Sequence, residues 1–239
     1  MTPKQAQIAE EIKLNQLGKP RPKVAAVDES IETVLGRIKA IPDAEAIKAA
    51  EDERARRHQN LVDNLRQHWA APARHVARTS LDMSGEWGAR LAKIQSTIGS
   101  GKTWAICGTR GNGKTQMAVE AMRHCTQMGI PARYVAATEF FAAIKATYRK
   151  DWSETEMNVI ERYRRPRLLV IDEIGKRGDT DWENNLLFHL LDKRYQDMTD
   201  TIVLANLTAE EMAKSLGPSL SDRMSETGGL IECTWASRR

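Results

Sequence analysis

The sequence has few cysteines, few aromatic residues and no long apolar run. Its three cysteines, Cys107, Cys125 and Cys233, are scattered over 239 residues and form no CxxC pair. This usage argues against a disulfide framework or a structural zinc site. No apolar run approaches the ~20 residues that span a bilayer, and the first residues lack the apolar core of a signal peptide. We therefore expect a cytoplasmic protein without zinc.

The catalytic motifs of several enzyme classes are missing as well. The five histidines are isolated, and none belongs to an HExxH motif or to a Cys/His cluster. The nucleophile motif G-x-S-x-G is also absent from the sequence. We therefore expect neither metalloprotease chemistry nor chemistry that depends on a serine or cysteine nucleophile.

The overall composition is that of a globular protein. With 41% hydrophobic and 28% charged residues, the chain is unlike a wholly disordered one. Its length corresponds to one large domain or two small ones. The net charge of +4 is compatible with a polyanionic partner but does not require one. Since neither half of the chain is a basic tail, any contact with nucleic acid must be a local patch.

The first ninety or so residues predict helices rather than strands. Residues 28–41 carry apolar side chains at helical spacing, with Asp28 as the expected N-cap. A second helix is predicted from Ala44 to about Trp69, and its middle is polar all round. Residues 18–23, Gly-Lys-Pro-Arg-Pro-Lys, predict a flexible connector. We assign residues 1–75 to a small, all-helical N-terminal region.

From about residue 103 the pattern changes to strands that alternate with helices. Short, continuously apolar segments predict buried strands at 103–107, 132–136, 168–171, 201–205 and 229–235. Helical patterns lie near 114–128, 138–149 and 181–196. This alternation predicts a parallel sheet covered by helices. We therefore assign residues 76–239 to one α/β domain.

A phosphate-binding motif lies between the first predicted strand and the helix that follows it. Residues 108–115, Gly-Thr-Arg-Gly-Asn-Gly-Lys-Thr, match G-x-x-x-x-G-K-[ST]. The glycines permit a tight turn that aims backbone N–H groups at phosphate oxygens, next to the positive end of a helix. Lys114 is expected to pair with the β- and γ-phosphates of ATP, and Thr115 to ligate Mg²⁺. The predicted nucleotide-binding residues are Gly108, Gly111, Asn112, Gly113, Lys114 and Thr115.

Polar side chains also follow two of the predicted strands. Asp172 and Glu173 end an apolar strand, which places Asp172 at the carboxyl edge of the sheet beside the phosphate loop. We expect Asp172 to hold Mg²⁺ and Glu173 to polarise the attacking water, and this acidic pair favours an ATPase over a nucleotide kinase. Asn206 follows another strand, where its amide could orient that water or contact the γ-phosphate. An asparagine in this position is more often only a turn residue.

Together these segments resemble the DnaC/IstB family of AAA+ ATPases, which includes replicative helicase loaders and transposition ATPases. The resemblance extends from about residue 96 to residue 239, and no motif before residue 96 matches. It rests on four motifs, at 108–115, 168–173, 204–208 and 220–224, with softer similarity at 143–149 and 208–217.

The resemblance implies an AAA+ P-loop ATPase that binds a replicative helicase and single-stranded DNA and delivers the helicase at replication initiation. It implies that Asn206 senses the γ-phosphate and that Arg223 is an arginine finger for a neighbouring subunit's ATP, within a homo-oligomer. Arg238 or Arg239 falls where loaders carry a second sensor arginine. The N-terminal helices would hold the helicase, although the 28–41 stripe could equally close a small bundle. A surface ion pair is the alternative for Arg223.

The helix near 138–149 lies where such loaders contact single-stranded DNA. Phe140, Phe141 or Tyr148 could stack on bases while Lys145 and Arg149 meet phosphates, although the same aromatic spacing is typical of core packing. Two other functions share these motifs. One is an IstB-type transposition helper that acts on duplex DNA with a transposase. The other is an interaction module in which the nucleotide is a structural clamp with negligible turnover.

Overall fold

The computed structural model describes residues 44–78, 80–149 and 153–238. The chain separates into two compact units between Glu53 and Arg54. The predicted helix 28–41 and the connector 18–23 lie outside the described residues. The first described helix, α1 (Ala44–Asp63), is polar and exposed over residues 45–60, as the sequence predicts for this segment. No helix of the described ranges is long and apolar enough to cross a membrane.

The second unit is built on one sheet of five parallel strands. The strands are β1 (Thr103–Gly108), β2 (Ala132–Ala136), β3 (Leu168–Asp172), β4 (Asp200–Leu204) and β5 (Gly229–Cys233). Their spatial order is β2-β3-β4-β1-β5, and every neighbouring pair is parallel. β1, β3 and β4 are buried along their whole length, which is why their central residues are apolar. The predicted parallel sheet is confirmed.

Seven further α-helices follow α1 in the described residues. They are α2 (Ala73–Val76), α3 (Gly85–Ser96), α4 (Lys114–Gln127), α5 (Ala137–Ala146), α6 (Glu156–Arg164), α7 (Asp181–Gln196) and α8 (Ala209–Thr227). A π-helical turn (Asn64–His68) follows α1, and a 3₁₀ turn (Ile174–Lys176) follows β3. Threonine side chains cap α6, α7 and α8, and the cap of α8 is a complete capping box. Gly217 has φ 77° and ψ 165°, so α8 is broken there, immediately before Pro218.

Helices cover both faces of the sheet. One buried cluster lies between the sheet and helices α5 to α8, and the other lies between the sheet, α3 and α4. Leu65, Ala71 and Val76 belong to the second cluster and are at most 5% exposed. The segment from the π-helical turn to α2 therefore packs on the sheet domain. The division between the two units falls about twenty residues before the boundary at 75–76 that the sequence predicts.

Candidate nucleotide-binding site

The loop between β1 and α4 has a backbone that requires glycine at several positions. Gly108, Gly111 and Gly113 have φ of 127°, 94° and 80°, in the region that side chains disfavour. A Cβ on Gly108 would lie 2.7 Å from the carbonyl oxygen of Cys233, and one on Gly113 would lie 2.9 Å from Nε1 of Trp87. The loop thus holds a conformation that no larger residue could adopt at either position.

Lys114 begins α4 and turns its side chain back into this loop. It is only 7% exposed, and its Nζ donates to the carbonyl oxygens of Gly108 and Thr109 at 2.9 and 2.6 Å. Burial lowers the pKa of Lys114 from its ordinary value, because the charged form loses solvation. A phosphate in the loop would supply a further countercharge for this buried ammonium.

The carboxylate of Asp172 links β3 to the start of α4. Its Oδ2 accepts hydrogen bonds from Oγ1 of Thr115 at 2.9 Å and from the hydroxyl of Tyr134 at 2.6 Å. Its Oδ1 accepts from the backbone N–H of Glu173 at 2.6 Å. The structure thus brings together the two side chains that the sequence assigns to Mg²⁺, Thr115 and Asp172.

This donor set fits Mg²⁺. A hydroxyl and a carboxylate are hard oxygen ligands, and Mg²⁺ in nucleotide sites takes one or two protein ligands and completes its shell with water and phosphate. No group of three or more His, Cys, Asp or Glu side chains suited to a metal occurs among the described residues. A site of the Mg²⁺–nucleotide kind does not need such a group.

Glu173 follows Asp172 with an unusual backbone. Its φ of 58° and ψ of 35° lie in the left-handed region, which costs a residue with a side chain about 1 kcal/mol or more. The carboxylate is half-buried and forms an ion pair with Lys176. Non-glycine residues held in this conformation cluster at functional sites, because their surroundings must compensate for the strain.

Tyr134 is a member of the site that the sequence analysis missed. Burial and the adjacent Asp172 raise the pKa of Tyr134 far above its ordinary value, so the hydroxyl remains a donor to that carboxylate. In the sequence, Tyr134 is an aromatic residue within a predicted strand, a pattern typical of packing. The feature that could have indicated its role is its position on β2. It lies two residues before Ala136, which pairs in register with Asp172.

Residues of the phosphate loop, the start of α4 and the end of β3 border one cleft of about 710 Å³. Tyr134 lies behind it and reaches it only through Asp172. The predicted residues along it include Lys114, Thr115, Asp172, Glu173, Asn206 and Arg238. Asn206 is exposed just beyond the end of β4. The opposite wall belongs to α2 and the residues after it, with Arg74, His75 and Arg78. The sequence analysis missed this wall because α2 reaches the cleft only through tertiary packing.

The segment after β5 fastens the loop. Nδ2 of Asn112 donates to the carbonyls of Cys233 and Trp235 at 2.7 and 3.0 Å, and Nε1 of Trp235 donates to the carbonyl of Asn112 at 2.7 Å. Asn112 is 4% exposed. Its side chain therefore serves the loop's structure, and only its backbone is left to face a ligand.

Arg238 continues this attachment at the rim of the cleft. Its backbone N–H donates to the carbonyl of Gly111 at 2.9 Å, and its guanidinium lies 4.6 Å from the ring centre of Trp87. The same guanidinium donates to the carbonyl of Asp82. Arg239, the other candidate for the second sensor, lies outside the described residues.

Arg223 lies on α8 and is not among the residues that line the cleft. It forms an ion pair with Asp192 on α7. Its guanidinium carbon is 5.6 Å from the ring centre of Phe188 and 5.2 Å from that of Tyr195. Its assignment as a finger for another subunit stays a prediction.

The residues predicted to bind DNA divide into buried and exposed sets. Phe140 and Phe141 are 0% and 2% exposed, and their rings pack against Tyr163 and Trp182. The prediction that these two rings stack on bases is therefore wrong, since they form the core-facing stripe of α5. Lys145, Tyr148 and Arg149 are exposed, and their contact with DNA stays a prediction.

The fold and the site together define a P-loop ATPase domain of the AAA+ type. The phosphate loop follows β1, the acidic pair follows β3, and β4 with its terminal asparagine lies between them. A family model described as IstB-like ATP binding protein matches residues 45–225. The chain belongs to this family.

Curated relatives match the chain over about half its length. The replicative helicase loader DnaC of Escherichia coli (strain K12) is 28% identical over 131 residues, which cover 55% of this chain and 53% of the relative. An uncharacterized protein of the same strain, YdaV, is 29% identical over 137 residues, covering 57% and 54%. The chain thus spans about half the length of the curated relatives it matches.

Solved structures share the fold. A crystal structure of the DnaC helicase loader has a TM-score of 0.56 at 18% identity, covering 64% of this chain and 94% of that one. The replication initiator DnaA bound to AMPPCP and single-stranded DNA has a TM-score of 0.54 at 20% identity, covering 65% and 49%. At these identities the likeness shows the AAA+ fold alone.

Proposed function

We propose that this protein is an ATP-dependent loader that binds a replicative DNA helicase and single-stranded DNA and delivers the helicase during replication initiation. The observation that carries the proposal is the convergence of the phosphate loop and the strand-end acids in one cleft, within a chain of an ATP-binding family. Lys114, Thr115, Asp172 and Glu173 all border that cleft. The resemblance of the ATPase half to DnaC supports the helicase as partner.

Each cleft residue has a role in ATP hydrolysis under this proposal. Lys114 binds the β- and γ-phosphates, while Thr115 and Asp172 hold Mg²⁺. When bound, Mg²⁺ neutralises the charge that develops on the phosphates. Glu173 orients the attacking water and accepts its proton, and the amide of Asn206 fixes that water or the γ-phosphate.

One further positive charge for hydrolysis comes from a neighbouring copy of the protein. Arg223 stabilises the transferring phosphoryl group of a neighbouring copy's ATP, which makes turnover depend on a homo-oligomer. To do so, its guanidinium must leave the ion pair with Asp192 and contact the neighbouring copy's nucleotide instead. Arg238, which lies at the rim of the cleft, is the second sensor of this arrangement.

Single-stranded DNA binds along the exposed end of α5 and the residues after it. The ring of Tyr148, 57% exposed, offers a stacking surface. Lys145 and Arg149 supply the cations that meet phosphates. Phe140 and Phe141 have a structural part only, since they anchor this segment in the core.

The N-terminal region, residues 1–75 in the sequence-based division, carries the helicase contact. An amphipathic helix over 28–41 would lie in a groove of the helicase. Its Ile31, Leu35 and Ile38 are the anchors that this interaction requires.

The test is a binding comparison on the full chain. Size-exclusion of the protein with replicative helicases, with and without ATP, is expected to give a co-eluting complex. Fluorescence anisotropy is expected to show tighter binding to single-stranded than to duplex oligonucleotides. Tyr148→Ala should weaken the single-strand affinity by about fivefold or more, whereas Tyr195→Ala, at a half-buried site on α7, should not.

The family model also fits a second candidate, a transposition helper of the IstB type that would act on duplex DNA with a transposase. This candidate predicts duplex binding as tight as single-strand binding, and no complex with a helicase. Either result would replace the loader proposal with the transposition one.

A further inference from the structure

The wall of the cleft opposite the acids contains a histidine whose tautomer is fixed by its neighbours. Gln116, the residue after Thr115, is 2% exposed. Its Nε2 donates to the carbonyl oxygen of His75 at 3.1 Å and to Oε1 of Glu120 at 2.9 Å. Both partners are acceptors, so the amide nitrogen must face them and the amide oxygen must face the other way.

The amide oxygen of Gln116 lies 2.9 Å from Nδ1 of His75. Because that oxygen can only accept, Nδ1 must carry the hydrogen. In the neutral ring this leaves Nε2 with a lone pair and no hydrogen. Within the described part of the chain, Nε2 has no hydrogen-bond partner, and His75 lines the cleft.

The network is anchored on both elements. Oε2 of Glu120 accepts from Nε of Arg123 at 3.2 Å, and another nitrogen of Arg123 donates to the carbonyl of Val76 at 3.0 Å. These contacts tie α2 to α4, the helix whose start holds Lys114 and Thr115. The imidazole is thereby held at a fixed position relative to the phosphate loop.

Lys114 and the acids at the sheet edge occupy the part of the cleft that suits phosphates. The same cleft is lined by Arg74, His75 and Arg78, and α2 is tied to α4 beside Thr115, so α2 borders the space left for the rest of a nucleotide. We propose that His75 is a specificity-determining residue that accepts a hydrogen bond at Nε2 from the 6-amino group of adenine, with Gln116 as its positioning residue. This inference rests on the proposed ATP site and goes beyond it by naming the residue that recognises the adenine base. A purine with a 6-oxo group would turn an acceptor toward the same lone pair, so the site disfavours it.

The test compares ATP with ITP, which differ at the purine 6-position, by competition against a fluorescent ADP analogue. The wild-type protein is expected to bind ATP at least about fivefold more tightly than ITP, the value of one neutral hydrogen bond. His75→Phe should reduce this ratio to about one while the affinity for ITP stays within about twofold. Gln116→Met should reduce the ratio in part, because the ring is then free to change tautomer. His124→Phe, on the same helix α4 and outside the cleft, is the matched control.

The outcomes separate this inference from the proposed function. A wild-type protein that binds both nucleotides equally, or a ratio that His75→Phe leaves unchanged, overturns the assignment of His75 alone. A wild-type protein that binds neither nucleotide overturns the phosphate site as well. Equal losses of ATP and ITP in His75→Phe mean that His75 supports α2 without reading the base, and also overturn the inference. Circular dichroism of each variant verifies that the fold is retained.

Discussion

Removal of the Tyr134 hydroxyl tests whether Asp172 is held as the geometry indicates. In Tyr134→Phe, the ring still fills its place beside β3, but Oδ2 of Asp172 loses a donor at 2.6 Å. Two donors remain on that carboxylate, from Thr115 and from the backbone of Glu173. The experiment therefore removes one hydrogen bond to a charged group and little else.

The expected loss of unfolding free energy depends on how far the hydrogen bond to Asp172 is shielded from water. A hydrogen bond to a charged group contributes about 1.5–3 kcal/mol to stability. Asp172 borders the cleft, so water can replace part of the lost bond, and we expect the lower half of that range. For a domain of this size the loss corresponds to a melting temperature lower by about 3–8 °C.

Urea unfolding followed by tryptophan fluorescence measures this loss, with the buried Trp87 and Trp104 as reporters. The control is Tyr195→Phe, which removes a hydroxyl that donates to Glu226 at 2.7 Å on the exposed surface. It should show no measurable change. If the two variants lose the same stability at unchanged m-value, the Tyr134 bond is not desolvated and the reasoning about Asp172 fails.

Three further results are expected. Glu173→Gln should keep ATP binding but lower turnover by about 10²–10⁴-fold, since the general base is lost; unchanged turnover would favour the clamp function. Arg223→Ala should spare ATP binding and remove DNA-stimulated turnover, and persistence of that turnover in a purified oligomer would contradict a finger in trans. Burial raises the pKa of Cys107 to about 11 and those of Cys125 and Cys233 to about 12. All three should therefore resist Ellman's reagent at pH 8 in the folded protein and react after denaturation; rapid reaction in the native state would contradict the buried-thiol assignment.

The sequence predicts the sheet well, and it also predicts that the loop lies beside Asp172, because both follow from regular patterns along the chain. A strand buried on both faces must be continuously apolar, as in residues 168–171. The phosphate loop needs glycines because its backbone has positive φ angles. Asp172 lies beside this loop because β1 and β3 run parallel, so that both strands end at the same edge of the sheet. These features need no knowledge of distant contacts.

The sequence predicts less well where tertiary packing decides the role of a side chain. Phe141 and Tyr148 are seven residues apart in one helical stripe, yet the first is buried and the second is exposed. Helical spacing alone cannot distinguish these two residues. Phe141 lies within α5, which packs on the core, whereas Tyr148 lies beyond the end of α5 at Ala146. In the same way, His75 joins the cleft, and Tyr134 reaches Asp172, through contacts between elements far apart in sequence. Leu65 and Ala71, which the sequence-based division assigns to the N-terminal region, also pack on the sheet domain.

The central claim is that the phosphate loop and the acid at the end of β3 bind one and the same Mg²⁺–triphosphate. Titration of ATP into the wild-type protein and into Asp172→Asn, with and without Mg²⁺, tests it directly, with Asp192→Asn as the control. The account predicts that Mg²⁺ tightens ATP binding in the wild type and the control but not in Asp172→Asn, whose Mg²⁺-free affinity is undiminished. An equal effect of Mg²⁺ on all three proteins would contradict it.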